Sequence, residues 1–259
     1  MDRQLKKAGG SVANRIPTNS LETMVGKENL RTEGDSVSLS PESSQAVSEI
    51  VALAQREGFK ILPLGRGSIL DPRKIAGAPF VVLRSDKLSK LVEVVPQDLY
   101  VIVQAGFPLR ELNKQLESHN LFYPLGNPDS AGTVGGSLAT NLRGKSGEKD
   151  LQTREYVLAV EVVDPLGQIL KVGARTFKSV TGYDLARLYV GSWGTLGFIT
   201  EVSLRLVPAR KRKDYPSVTF HQPSRHAAKD KGDLKIALSS RIKKTLDPKN
   251  VFLDFDALV

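Results

Sequence analysis

The chain has 259 residues, of which 40% are hydrophobic and 25% charged, with a formal charge of +9 and no cysteine. That length and apolar content suffice for one large domain or two small ones around a real core. Disulfides, thiolate metal sites and iron–sulfur ligation are excluded in the chain itself, and the lack of cysteine suits a cytoplasmic location. No stretch approaches the ~20 uninterrupted apolar residues of a membrane span. The N-terminus is basic but has no apolar h-region, so it does not read as a secretory signal.

Residues 1–36 are polar and weakly periodic and read as an extended or partly ordered N-terminal arm. Ser40-Pro41-Glu42 reads as a helix start, with serine as the cap and proline at the first helical position. Val47, Ile50, Val51 and Ala54 then follow the 3.6-residue period, and Gly58 ends the helix. Phe59–Pro63, Phe80–Leu83, Leu91–Val95 and Tyr100–Gln104 are short β-branched or aromatic runs, expected as strands. Pro108 opens a second helix with Leu109, Leu112 and Leu116 on one face, and His119 is expected at its outer end.

A Gly/Pro/Asn-rich stretch, Gly126–Gly147, interrupts the pattern. Val157–Val163 and Gln168–Val172 flank a turn at Asp164-Pro165-Leu166-Gly167, and Phe198–Val207 alternates up to Pro208. Residues 209–232 carry no periodicity and read as linker. A last amphipathic helix has Leu234, Leu238, Ile242 and Leu246 in register and ends at Asp247-Pro248. Strand runs broken by helices argue for an α+β fold. The positive excess lies in residues 209–249, around Arg210, Lys211, Arg212 and Lys213. Without interleaved aromatics or a recognition motif it reads as a solvated connector and not as a nucleic-acid surface. Attraction to an acidic partner or an anionic membrane surface stays open.

Three segments carry chemistry. Pro63-Leu64-Gly65-Arg66-Gly67-Ser68 follows a strand, and its glycines allow successive N–H groups to form an anion-binding nest. By itself it reads sooner as a plain turn, since Gly-rich turns are common. It is neither a Walker A loop nor a dinucleotide fingerprint, because Leu70 stands at the third glycine and Asp71-Pro72 where a helix would begin. Pro128 to Asn141 is dominated by small residues and hydroxyls, suited to lying against a flat ligand. Val134, Leu138 and Ala139 at helical spacing argue against a disordered linker. The third segment runs from Thr181-Gly182-Tyr183-Asp184-Leu185 to Gly191-Ser192-Trp193-Gly194-Thr195-Leu196-Gly197-Phe198-Ile199-Thr200.

Together with Thr153-Arg154-Glu155-Tyr156-Val157, these segments resemble the PCMH-type FAD-binding family of vanillyl-alcohol oxidase, D-2-hydroxyacid dehydrogenases and glycolate oxidase subunits. The likeness covers residues 37–208 in order and returns at Leu238–Val251, similar to the family's terminal helix. It implies a two-subdomain PCMH-type FAD-binding fold at 37–208. Residues 209–232 would replace the family's cap domain, which is then absent, and 233–259 would form a helix packing back on the FAD domain.

The resemblance implies that Pro63, Gly65, Arg66, Gly67 and Ser68 hold the FAD pyrophosphate. Pro128, Asp129, Ser130 and Thr133 would run beside the flavin. Val134, Gly135, Gly136, Thr140 and Asn141 would continue the phosphate and ribose contacts, and Ile199 would touch the cofactor through its backbone. Arg154 would be either a flavin-side contact or an ion-pair partner. Tyr183 and Trp193 read as packing residues. Covalent members attach flavin through a histidine where this chain has Ser68, so the FAD is expected to be non-covalent. No metal site is expected, and no catalytic residue is assigned: His119, His221 and His226 read as structural, while Arg66 or Arg143 could hold a carboxylate.

Without a cap, one face of the flavin would be open to water and dioxygen. The chain resembles the smaller flavoprotein subunit of glycolate oxidase. That implies an electron-relaying or supporting oxidoreductase subunit, partnered by a related flavoprotein subunit and an iron–sulfur subunit. A small 2-hydroxyacid, glycolate or D-lactate, would be bound by the partner, and membrane association would be at most peripheral. A self-sufficient small dehydrogenase, its substrate site built from Arg143, Arg154 and residues 209–232, is the alternative. A scaffold that has lost flavin is a third.

Overall fold

The computed structural model describes residues 16–33, 36–75, 80–174, 185–221 and 233–254. Its elements in chain order begin with α1 (Thr18–Val25), β1 (Leu30–Glu33), β2 (Ser36–Leu39), α2 (Ser44–Glu57), β3 (Lys60–Leu64) and β4 (Phe80–Arg84). Then come β5 (Leu91–Val95), β6 (Tyr100–Gln104), α3 (Leu109–Leu116), β7 (Leu121–Phe122), α4 (Val134–Ala139), β8 (Arg143–Ser146) and β9 (Lys149–Gln152). The second half has β10 (Val157–Val163), β11 (Ile169–Gly173), α5 (Ala186–Tyr189), β12 (Phe198–Arg205), β13 (Val207–Pro208), β14 (Thr219–His221) and α6 (Asp233–Leu246).

Two sheets organise the chain. The first is mixed, in the order β1-β2-β4-β3, with β4 parallel to both its neighbours. Its parallel pairs need a crossover, and α2 supplies it between β2 and β3. The second sheet is antiparallel throughout, in the order β11-β10-β12-β6-β5. Each sheet has its own core. Val47, Ile50, Val51 and Ala54 of α2 pack with Val37, Leu39, Ile61 and Val81. Leu109, Leu112 and Leu116 of α3 pack with Val101, Val103, Val160 and Val202.

Four expectations are corrected. Residues 16–33 are not an arm: Ile16, Leu21 and Val25 are buried in the first core. A helix with two apolar residues at i and i+4 leaves too short a period to stand out in the sequence. The helix expected from Ser40-Pro41 starts instead at Ser44, because Ser43 Oγ accepts the Ala46 N–H at 3.1 Å while the Ser40 N–H is already bonded to Asn29 O. Gly58 ends it as expected, at φ 79° with its N–H on Ala54 O.

Residues 209–221 are no free linker. A short 3₁₀ turn at Ala209–Asp214 is seated with the Arg212 guanidinium 5.0 Å above the Phe122 ring, and β14 joins a three-stranded sheet in the order β14-β8-β9. Finally, Leu238 and Leu246 of α6 face solvent, and among the described side chains of α6 the buried one is Lys243. Leu234 and the Thr181–Asp184 turn lie outside what is described.

Polar contacts join the parts. Glu161 on β10 accepts hydrogen bonds from Ser44 Oγ at 2.5 Å and Thr200 Oγ1 at 2.8 Å, and pairs with Lys171 at 3.2 Å. It thereby fastens the start of α2 to the second sheet. Burial pushes its carboxyl up, but the hydrogen bonds of Ser44, Thr200 and Lys171 outweigh burial and hold it below its ordinary value.

The second clamp is Lys243. Its Nζ donates to Asp247, to Thr195 O at 2.8 Å and to Phe252 O at 2.8 Å. Asp247 in turn accepts the N–H groups of Val251 at 2.8 Å and Phe252 at 3.0 Å. The segment so held lies along the outer edge of β3: Ile61 N–H donates to Val251 O, and Leu253 N–H to Ile61 O.

Two outcomes follow. Lys243→Met leaves the buried Asp247 carboxylate without its cation and is expected to cost about 3–5 kcal/mol of unfolding free energy, read by urea denaturation. Glu161 has a folded pKa below its ordinary 4.5, so its contribution is present above that value and is lost as pH falls through the depressed one. Thermal melts of Glu161→Gln should start lower at neutral pH and fall less steeply below pH 4.5 than those of the unsubstituted chain.

Candidate functional site

The end of β3 places the first glycine loop. Leu64 is still held by the sheet, its carbonyl accepting the Ser85 N–H. Among the described residues, the N–H groups of Gly65, Arg66, Gly67, Ser68 and Ile69 then have no hydrogen-bond partner. Gly67 at φ 73° turns the loop back. Consecutive unpaired amides, with the exposed Arg66 among them, make a concave anion site.

Across from the loop lies α4. Thr133 caps it, Oγ1 accepting the Gly136 N–H at 3.1 Å, and the loop before it is shaped by two side-chain turns. Asn127 Oδ1 accepts the Asp129 N–H at 2.9 Å, and Ser130 Oγ accepts the Gly132 N–H at 3.0 Å. Loop and cap touch closely: a Cβ on Gly65 would stand 2.8 Å from Thr133 Oγ1. On its inner side α4 abuts the end of β6, where a Cβ on Gly135 would meet Ala105 Cβ at 2.6 Å.

Between them is a cleft of about 340 Å³, lined by residues 63–70, 127, 129–133, the outer face of α4, Trp193, and Phe220 and His221 of β14. Of the residues expected from the sequence, it brings together Pro63, Gly65, Arg66, Gly67, Ser68, Asp129, Ser130, Thr133, Gly136 and Thr140.

The other expected residues stand elsewhere. Pro128 lines a neighbouring hollow of about 360 Å³ walled by Phe122, Tyr123 and Tyr215. Val134 and Gly135 are on the buried face of α4, and the Gly135 N–H is taken by Ala105 O. Asn141 Oδ1 accepts the Arg154 N–H at 3.1 Å, tying the end of α4 to the next turn. Ile199 sits in β12 opposite Val162.

Trp193 packs against a buried cluster as the sequence suggests, but sequence reasoning missed that it also lines the cleft, and it missed Ile69, Leu70 and β14. Trp193 is half-buried at φ 56°, beside the Leu62–Leu64–Val82 cluster, and its N–H donates to Ala139 O. A non-glycine residue held at positive φ is a mark of constraint that only the fold reveals. His119 ends a short turn at Glu117–His119, and His226 lies outside the described residues.

An amide-lined anion cradle continuous with a small-residue floor and an aromatic wall defines a binding site for a dinucleotide with a flat ring system. The chain belongs to the family of FAD binding domains, whose model matches residues 36–173. A D-lactate dehydrogenase of Anaerostipes hadrus is 35% identical over 169 residues, 65% of this chain and 36% of that protein. The glycolate oxidase subunit GlcD of Bacillus subtilis (strain 168) is 34% identical over 179 residues, 68% of this chain and 37% of that protein. The chain thus spans little more than a third of the length of these relatives.

In fold it is similar to the solved structure of an alkyldihydroxyacetonephosphate synthase, with a TM-score of 0.61 at 21% identity over 74% of this chain and 42% of that one. The architecture is the α+β PCMH-type FAD-binding fold, with residues 209–232 connecting β13 to α6. FAD is the cofactor of this family, and the residues present fit it. The free amides of residues 65–69 and Arg66 suit the diphosphate, and Trp193 and Leu70 offer apolar wall to the rings.

Trp193 is the one tryptophan of the chain. Titration with FAD is expected to quench its fluorescence saturably. Gly65→Ala pushes a methyl group against the Thr133 cap and is expected to weaken that titration roughly tenfold or more, while Thr133→Ala costs about 1 kcal/mol in thermal stability.

Proposed function

We propose that this chain is a non-covalent FAD-binding component of a 2-hydroxyacid dehydrogenase, with glycolate or D-lactate as substrate, and that it works within a multi-subunit complex. The observation that carries the reading is the cradle of unpaired amides at residues 65–69 facing α4 across one cleft. FAD supplies acceptance of a hydride equivalent from a hydroxylated carbon. The chain's own residues hold and shield the cofactor: Arg66 and the loop amides take its charge, and Trp193, Ile69 and Phe220 exclude water along one side of the cleft.

A related flavoprotein subunit and an iron–sulfur subunit are the partners that this reading implies. The role of a cap, covering the flavin and receiving electrons, falls to them. Ser68 on the loop gives no histidine for a covalent link, so acid precipitation should release the flavin entirely.

A second reading, a self-sufficient small dehydrogenase, is favoured by one observation: Phe220 and His221, from the segment that stands in the cap's place, line the cleft. The two are separated by anaerobic mixing of the FAD-loaded chain with D-lactate or glycolate. Under the first reading the flavin absorbance bleaches only once the co-encoded subunits are added. Rapid bleaching and dye reduction by the chain alone would sink the dependence on a partner, and a chain that takes up no FAD would sink both readings.

A further inference from the structure

The small sheet β14-β8-β9 lies at the mouth of the cleft, and its pairing puts specific charges side by side. His221 is directly opposite Arg143 across β14–β8, and Thr219 is opposite Lys145. Cross-strand partners project on the same face with their β-carbons about 4.5–5.5 Å apart. Phe220, between Thr219 and His221, packs against the core beside Gly144, which turns His221, Arg143 and Lys145 to the exposed face. His221 itself lines the cleft.

On the other side of β8, Lys145 faces the carboxylate of Asp150, whereas Arg143 faces uncharged Gln152. Arg143 and His221 make no side-chain hydrogen bond or ion pair among the described residues. Arg143 is not itself among the cleft-lining residues; it stands beside His221, which is, and of the two basic residues of β8 it is the one without a carboxylate across the β8–β9 pairing. The one carboxylate among the cleft-lining residues, Asp129, is carried by the 127–133 loop rather than by this sheet.

We propose that Arg143 and His221 form a carboxylate-binding subsite at the cleft mouth, the point at which this chain holds the acid group of a small 2-hydroxycarboxylate. The planar guanidinium matches both oxygens of a carboxylate, and the adjacent imidazole adds a ring N–H. The subsite rests on the 2-hydroxyacid reading above and places substrate recognition on this chain, whether or not a partner completes the reaction. It also gives a reason for β14: the strand is short and carries His221 at its end, against the one basic position of β8 that lacks an acidic neighbour.

The test is calorimetric titration of the full, FAD-loaded chain with oxalate, a redox-inert carboxylate, and with inorganic phosphate as a comparison anion. Oxalate is expected to bind saturably, with phosphate at least roughly tenfold weaker. Arg143→Met should weaken oxalate roughly tenfold or more, Arg143→Lys less so, and His221→Ala severalfold, in line with the loss of charge-assisted hydrogen bonds. The FAD-dependent quenching of Trp193 should be unchanged in Arg143→Met, which shows that the variant is folded. Oxalate binding that ignores both substitutions, no binding at all, or phosphate binding as well as oxalate overturns the subsite. Failure to take up FAD counts against the function and not the subsite, which titration of the cofactor-free chain then decides by the same Arg143 dependence.

Discussion

The cleft depends on how near the loop after β3 comes to the cap of α4. Thr133 must offer its hydroxyl to the Gly136 N–H to start the helix, and Gly65 passes so close that a single β-carbon would displace that hydroxyl. Both sides of the contact are small because both are backbone surfaces presented to a ligand. Nearby, Gly135 allows α4 to lie directly on the end of β6, fixing the height of the floor. The site is thus built by excluding side chains, and its polarity comes chiefly from peptide groups.

What keeps the loop amides available is the way the β3 edge is shared. Residues 251–253 pair with Ile61 and then leave, so the strand is covered on its outer side only before the loop begins. That short cover is held by Lys243 and Asp247, an expensive ion pair to bury unless nearly every hydrogen-bonding position is used. Here the ammonium makes three bonds and the carboxylate accepts two backbone N–H groups as well. A segment remote in sequence therefore sets the boundary of the cofactor site, and the terminal helix is a structural part of the FAD-binding unit.

The segment between β13 and α6 has a structural use of its own. The basic run at 210–213 looks in the sequence like solvated connector, yet Arg212 lies over the Phe122 ring, and Tyr215 just beyond the run lies under Lys149 of β9 at 4.4 Å. This seating steers the chain into β14 and delivers Phe220 and His221 to the cleft. Long cationic side chains can cover apolar surface while keeping their charge in water, which is why charge alone misleads about order.

The sequence by itself determined the strands of the second sheet, the buried faces of α2 and α3, and the two glycine-rich loops, because each is a local property: a period, a cap, or an absence of side chains. It also determined the cofactor class through the order of several motifs. Only the tertiary structure decided which loop residues face one cleft, that Gly135, Asn141 and Ile199 have packing and tethering contacts, and that Trp193 belongs to the wall. It alone found α1, whose two apolar residues carry no readable period, and the pairing of Arg143 with His221. Those facts arise from contacts between residues far apart in the chain, and no local pattern records which strand will lie beside which.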